Sequence, residues 1–356
     1  MLFRVSLLEL SLTEWFRLLM KRKTIYILLI VACLLISLQS ICQITNTSIK
    51  GFIDVRSMYD NNKVSFGLGE QDLFITSELN DRFSFLGETV FKFDSSSFTD
   101  FSVSIERIVI KYNIQGNHNL IIGKIHTPLN YWNDTYHHGR VFFPTIDRPL
   151  LFQAEIIPLH TIGAGLQGHD FGKLRFGYDF FVGNGIGAGP VSDNDKYKSV
   201  TAAVHIKPVD NMRIGLSYYN DVISKGADVE GKIINWKVNQ QLASGSFAYF
   251  GKKVELLAES TFGINRTDTT GTKHTLASYV YGGYKIKDKF IPYFRVDNLA
   301  YQNGEIYFTK NNTTALVVGM RYEINFLAVV KLEYQYTHSE LNGINNKVSA
   351  QFAIGF

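Results

Sequence analysis

The chain has 356 residues, a formal net charge of +4 and only two cysteines, Cys33 and Cys42. Residues 1–42 hold five of the Lys/Arg and two of the Asp/Glu, so the following 314 residues carry only about +1, which argues against a basic nucleic-acid surface. Both cysteines fall in the same leading stretch, so the rest has no disulfide or thiol chemistry, and no later run approaches the roughly 18 apolar residues of a transmembrane helix.

The first element is a basic cluster, Lys21, Arg22 and Lys23, followed by the apolar run Ile25 to Leu38. That is the shape of a secretory signal peptide, too short for a comfortable membrane span. Ser40 and Cys42 are small residues placed for cleavage before Gln43, so residues 1–42 are expected to be removed; lipidation of Cys42 is the alternative, with Ile41 a poor fit to it. Met20 stands directly before the basic cluster and is the expected start of translation, against a long n-region as the other reading.

From residue 43 to 356 nothing divides the chain, and period-two alternation recurs every twenty or so residues. In 48–59, Ile53 and Val55 alternate with Asp54 and Arg56; in 316–325, Leu316, Val318 and Met320 oppose Arg321 and Glu323; in 328–337, Val330, Leu332 and Tyr334 oppose Lys331, Glu333 and Gln335. Such alternation predicts strands with one apolar and one wet face. The predicted strands are 48–59, 68–79, 82–93, 101–113, 119–129, 159–169, 173–183, 197–207, 211–221, 238–250, 253–265, 274–286, 290–301, 312–325, 328–339 and 346–356. Sixteen is the expected number, and fourteen or eighteen fit the same pattern. Two regions read poorly. Glu106 and Arg107 are adjacent and cannot both face one side without a bulge, and the pattern over 232–250 is diffuse.

Short turns alternate with longer connections, the latter centred on 60–70, 94–100, 130–158, 184–196, 222–232, 266–273, 302–311 and 340–345. Charge sits at the middle of the polar face on strand after strand, as in a water-filled lumen with lipid outside. The 27 Phe, 19 Tyr and 3 Trp suit aromatic girdles. The expected fold is all-β, a transmembrane antiparallel up-and-down barrel. The lumen candidates singled out are Lys124, His126, Arg175, Arg213, Arg295, Arg321, Lys331 and Glu333. Further inward candidates are Lys50, Lys92, Lys207, Asp72, Glu78, Glu88, Asp179, Asp221, Glu255, Glu259 and Asp297.

The longest connection, Asn130 to Pro158, contains Tyr131, Trp132, Tyr136, Phe142, Phe143 and Phe152. Such a segment is too apolar to stand in solvent and should pack on the barrel wall. Its charged and polar groups, Asp134, His137, His138, Arg140, Asp147 and Arg148, then become candidates for a pore constriction. Metal binding is disfavoured: adjacent His137 and His138 point to opposite sides of an extended chain, and no Cys or His-x₃-His spacing supports a site. The run DNDKY at Asp193 has Lys198 and Val204 where a calcium loop needs Gly and Glu. GNGIGAGP at Gly183 precedes no helix, so it cradles no phosphate. No cofactor is expected. His160, His169, His205, His274 and His338 are scattered, with no motif binding any to a nucleophile.

The last strand, KVSAQFAIGF, resembles the terminal strand of bacterial outer-membrane β-barrels, in which a final aromatic belongs to the assembly signal; Phe356 is that aromatic here. The stretch GKIHTPLNYWNDTYHHG is similar to a segment of outer-membrane porin-like proteins, a resemblance strongest over residues 123–149. In sixteen-stranded general porins the loop after the fifth strand folds into the pore, and residues 130–158 follow the fifth predicted strand. The resemblance implies an outer-membrane channel for small hydrophilic solutes, exported through the periplasm and not an enzyme. Its implied partners are lipid, lipopolysaccharide and the barrel assembly machinery, and a homotrimer is compatible with it. A structural or secretion-associated barrel and a barrel hydrolase remain as alternatives.

Overall fold

The computed structural model describes residues 46–60, 62–93, 101–136, 139–229, 232–303, 305 and 311–356. The expected signal peptide and its cleavage site, and His137 and His138, lie outside them. Eighteen strands follow in order: β1 (Asn46–Asp60), β2 (Lys63–Glu78), β3 (Phe83–Phe93), β4 (Phe101–Gln115), β5 (His118–His126), β6 (His160–Phe171), β7 (Phe176–Gly183), β8 (Ser199–Ile206), β9 (Met212–Ile223), β10 (Asp228–Val229), β11 (Lys232–Ile233), β12 (Val238–Phe250), β13 (Val254–Thr267), β14 (Gly271–Tyr284), β15 (Phe290–Tyr301), β16 (Thr313–Asn325), β17 (Ala328–Ser339) and β18 (Gly343–Gly355). Sixteen of them close into one antiparallel barrel, each beside its chain neighbour, with β12 beside β9 and β18 beside β1. The diffuse region resolves simply: β10 and β11 form a separate two-stranded hairpin in the β9–β12 connection.

Closure abolishes the unpaired edges that an open sheet would present. The seam runs over nine matched positions, Phe52 with Gly355 through Asp60 with Lys347. Phe356 extends it: its N–H donates to the Gly51 carbonyl at 2.9 Å, and Gly51 N–H returns the bond at 3.0 Å.

The two faces divide as the alternation requires. Val318 and Leu332 are 50% and 51% exposed, whereas Arg321, Lys331 and Glu333 on the same strands are buried. The Glu106–Arg107 problem is solved by the bulge it demanded. Glu88 pairs with Arg107 and Thr89 with Ile105, leaving Glu106 as the extra residue. Ile105 and Ile108 therefore stay outward while Glu106 and Arg107 both reach inward groups. Opposite, Gly123 has φ 131°, and a Cβ there would lie 1.9 Å from the Ile108 carbonyl oxygen. Only glycine lets the two backbones approach that closely.

Three connections expected to be long are tight. β2 starts at Lys63, so Val64, Phe66 and Leu68 are strand residues on the exposed face, and Asn62 turns the chain at φ 61°. The β13–β14 link is the three residues 268–270, with Gly271 opening β14 at φ 68°, and the β17–β18 link is residues 340–342. The polar composition of these stretches suggested loops, but the alternation simply continues through them. At the other end, β7 begins only at Phe176, so Lys173, Leu174 and Arg175 belong to a turn rather than a strand.

Candidate functional site

The site is built around the β5–β6 connection, residues 127–159. At its neck Thr127 N–H donates to the Leu159 carbonyl at 3.0 Å, and Asn133 Nδ2 donates to both the Thr127 and Leu159 carbonyls at 2.8 and 3.0 Å. Beyond the neck come two short helices, Tyr131–Thr135 and Leu150–Gln153, and residues 139–149 before the second are irregular chain.

Apolar side chains dock this segment first. Leu129, Trp132, Phe143, Leu151, Phe152, Ile156 and Ile157 are fully buried in one cluster with Tyr219, Leu242, Tyr279, Tyr281, Tyr293 and Val317 of the wall. Trp132 meets Phe143 edge-on at 5.2 Å and Tyr279 at 6.2 Å. Each such side chain contributes about 1.5–3 kcal/mol when withdrawn from water.

Burial then creates a problem for irregular backbone, whose N–H and C=O groups lose water without gaining a helix or sheet ladder. Strands β13 and β15 to β17 supply the missing partners. The Glu259 carboxylate accepts from the Tyr131 and Trp132 amides that open the first helix, and from Tyr279 Oη at 2.5 Å. Asp297 accepts from Leu150 N–H at 3.1 Å, at the start of the second. Both carboxylates meet the positive end of a helix, where negative charge is favoured. Between the helices, Arg295, 1% exposed, donates to Thr145 Oγ1 at 2.5 Å and to the Asp147 carbonyl at 2.7 Å. Arg321 donates to the Pro144 carbonyl at 3.2 Å and forks onto Glu255 at 2.8 and 3.0 Å. Lys331 Nζ donates to the Arg140 and Thr145 carbonyls at 2.6 and 3.2 Å, and Glu333 accepts from Ile146 N–H at 2.6 Å.

The segment's own charges meet the seam strands. Arg140 reaches Glu70 of β2 at 3.0 Å and Asp54 of β1 at 3.6 Å; Asp54 also accepts from Arg56 at 2.8 Å. Arg56 continues to Asp147 at 2.7 Å, and Asp147 to Lys347 of β18 at 2.8 Å. Burial alone would raise the Asp147 carboxyl, but Lys347 and Arg56 override it and hold the group well below the usual carboxylate range. Arg148 is pushed down by burial and by the neighbouring Arg140 guanidinium. Asp134 instead pairs with Arg213 of β9 at 2.5 Å.

The wall between β3 and β6 carries charges that mostly meet one another. Arg107 pairs with Glu88, His160 lies 3.0 Å from Glu106, Lys92 lies 3.7 Å from Glu106, and the rings of His126 and His160 are 5.3 Å apart. Lys124 Nζ donates to the Ile105 carbonyl at 2.6 Å. Of the residues expected on the wall, Arg175 is displaced: it lies in the β6–β7 turn at φ 46° and pairs with Asp210 at 3.2 Å, so it stands at a rim.

Sequence reading missed a set of inward aromatics. Tyr279, Tyr281 and Tyr293 are buried and donate to Glu259, Glu255 and Glu333. Phe52 and Phe74 share their face with Asp54 and Asp72. The signal was parity alone: each stands an even number of residues from an inward charge.

A closed sixteen-stranded antiparallel barrel with a charged inner face and an apolar outer face is the fold of outer-membrane porins. Solved structures of similar fold include an anion-selective porin from Comamonas acidovorans (TM-score 0.64, 10% identity, covering 88% of this chain and 100% of that one). The outer-membrane channel DcaP of Acinetobacter baumannii is also similar (0.62, 12%, 87% and 97%). So is OmpT, an outer-membrane protein of Vibrio cholerae, in a trimer form (0.62, 14%, 88% and 99%). No protein-family model and no curated protein matches the sequence.

Proposed function

We propose that the protein is an integral outer-membrane channel for passive diffusion of small hydrophilic solutes or ions, and not an enzyme. The observation that carries this reading is the anchoring of residues 127–159. A segment connecting β5 and β6 is bonded to β1, β2, β9, β13 and β15 to β18, on other sides of the closed order, and this supports its standing across the lumen and narrowing it. Within that reading, Asp134, Arg140, Asp147 and Arg148 border the narrow passage. Lys124, His126 and Arg213 line the wall beside it, while Arg295, Arg321, Lys331 and Glu333 hold the segment in place. Fixed charge in a low-dielectric passage biases ion traffic more than the same charge on an open rim. The channel is exported through the periplasm, inserted by the barrel assembly machinery with Phe356 as part of the signal, surrounded by lipid and lipopolysaccharide, and assembled as a homotrimer.

Reconstitution in a planar bilayer tests this. Discrete conductance steps that enlarge when residues 134–147 are deleted are expected. Folded, inserted protein without steps overturns the channel and favours a structural or secretion-associated barrel.

A further inference from the structure

A cavity of about 280 Å³ lies between the segment and the wall of β1 to β5, lined among others by Lys50, Phe52, Phe74, Glu88, Arg107, Asp134 and Phe142. Its composition is unexpected for a passage serving hydrophilic solutes only. Phe52 meets Phe74 edge-on at 5.3 Å and Phe142 edge-on at 5.3 Å, so three rings form one apolar corner. The Arg107 guanidinium lies 5.8 Å from the centre of the Phe74 ring. Phe142, on the segment, is 48% exposed.

The charges around this corner are unevenly committed. Glu88 is taken by Arg107, and Asp134 by Arg213 at 2.5 Å. Lys50 projects from the face of β1 that carries Phe52, is exposed, and has no ion pair among the described residues. Counting these five charged groups leaves one positive charge beside an aromatic corner. Pockets of this make-up orient a ligand by one placed charge and hold it by its apolar body. Flat rings pack edge-on against phenylalanine with a gain beyond simple burial.

We infer that the cavity bounded by Lys50, Phe52, Phe74 and Phe142 is a binding subsite for small ring-bearing carboxylates, the ring lying in the phenylalanine corner and the carboxylate on the Lys50 ammonium. The inference deepens the channel reading and rests on it for the solute's route. Binding itself requires no current, so the two fail separately.

The test uses 4-fluorobenzoate, observed by ¹⁹F NMR on the full chain folded in micelles, with protein-free micelles as the reference. Saturable broadening, displaced by benzoate and not by equal acetate, is the expected result. Lys50→Gln should weaken the apparent affinity about threefold to fivefold, the scale of a partly exposed ion pair. Phe142→Ala, at a half-exposed ring, should weaken it about fivefold, the scale of one aromatic contact. Displacement by acetate as effective as by benzoate overturns the subsite, as does binding indifferent to both substitutions. Conductance without such binding sinks this inference alone, and binding without conductance sinks the channel alone.

Discussion

The wall formed by β13 to β17 and the wall formed by β3 to β6 follow the same period of two, with inward charges on several of their strands and apolar residues turned outward. They end in opposite states. On the first, Arg295, Arg321, Lys331, Glu259 and Glu333 are buried and spend their hydrogen bonds on the backbone of residues 130–150. On the second, Lys92 and Arg107 stay partly exposed and pair with carboxylates of neighbouring strands. An inward charge thus serves as an anchor where the segment lies against it and as a wall charge where it does not.

The largest break in that contrast is expected from Arg295→Met. It leaves Asp297 buried without its cation and strips partners from Thr145 and Asp147, a loss of about 3–5 kcal/mol for a broken buried pair. Lower heat resistance of the folded barrel, together with larger and noisier conductance, is expected. Arg107→Met also strands a buried carboxylate, Glu88, but takes no partner from the segment's backbone, so it should lower heat resistance without the larger, noisier conductance; equal conductance effects from the two would erase the distinction between anchor and wall.

The outward faces should not share the asymmetry. Leu332→Arg on β17 and Val103→Arg on β4 both place charge on the exposed apolar face. Each should destabilise by about 2–4 kcal/mol near the bilayer midplane, measured as folded fraction in lipid vesicles against urea. A large difference between the two would show that one of these faces is not set against lipid.

Arg140→Gln addresses the junction between the regions. It cuts the links to Glu70 and Asp54 but leaves the Arg140 carbonyl on Lys331. The stability loss should be about 1 kcal/mol, with a shift of reversal potential toward cations as the main readout. An unchanged reversal potential would place the selectivity elsewhere.

The smallest effect concerns pH. Because Asp147 is held below its ordinary value of 3.8, its ion pairs contribute stability that is fully present above that value and is lost only as pH falls through the lower, folded value. The difference in protease protection of residues 134–147 between wild type and Asp147→Asn should therefore be constant from pH 8 to about pH 5. A difference that fades between pH 7 and 5 would mean that Asp147 is not held by Lys347 and Arg56.

Much of this architecture was legible in the chain. Sixteen alternating segments match the sixteen barrel strands, the adjacent Glu106 and Arg107 announced a bulge, and the aromatic run after Asn130 announced a segment that packs on something. These are local inferences. Neighbouring side chains on a strand point to opposite faces, so a dozen residues suffice to read the alternation. Polar stretches were less readable. Val64 and Phe66 sit among glycine and serine, before the predicted strand start at 68, but β2 continues back through them because Asn62 closes a tight turn. The abundance of tyrosine suited aromatic girdles, but composition does not say which face a given tyrosine occupies, and Tyr279, Tyr281 and Tyr293 face inward.

By itself the sequence determined the strands, their two faces and the one long connection. Only the tertiary structure decided which inward charges meet water and which meet backbone. Arg295 finds Thr145 across 150 residues, Arg321 finds Pro144 across 177, and Lys331 finds Arg140 across 191. Strand periodicity holds no information at that separation. The division of roles follows from burial: the apolar side chains of residues 129–157 settle on one wall, their irregular backbone loses water there, and the charges beneath become its hydrogen-bond partners.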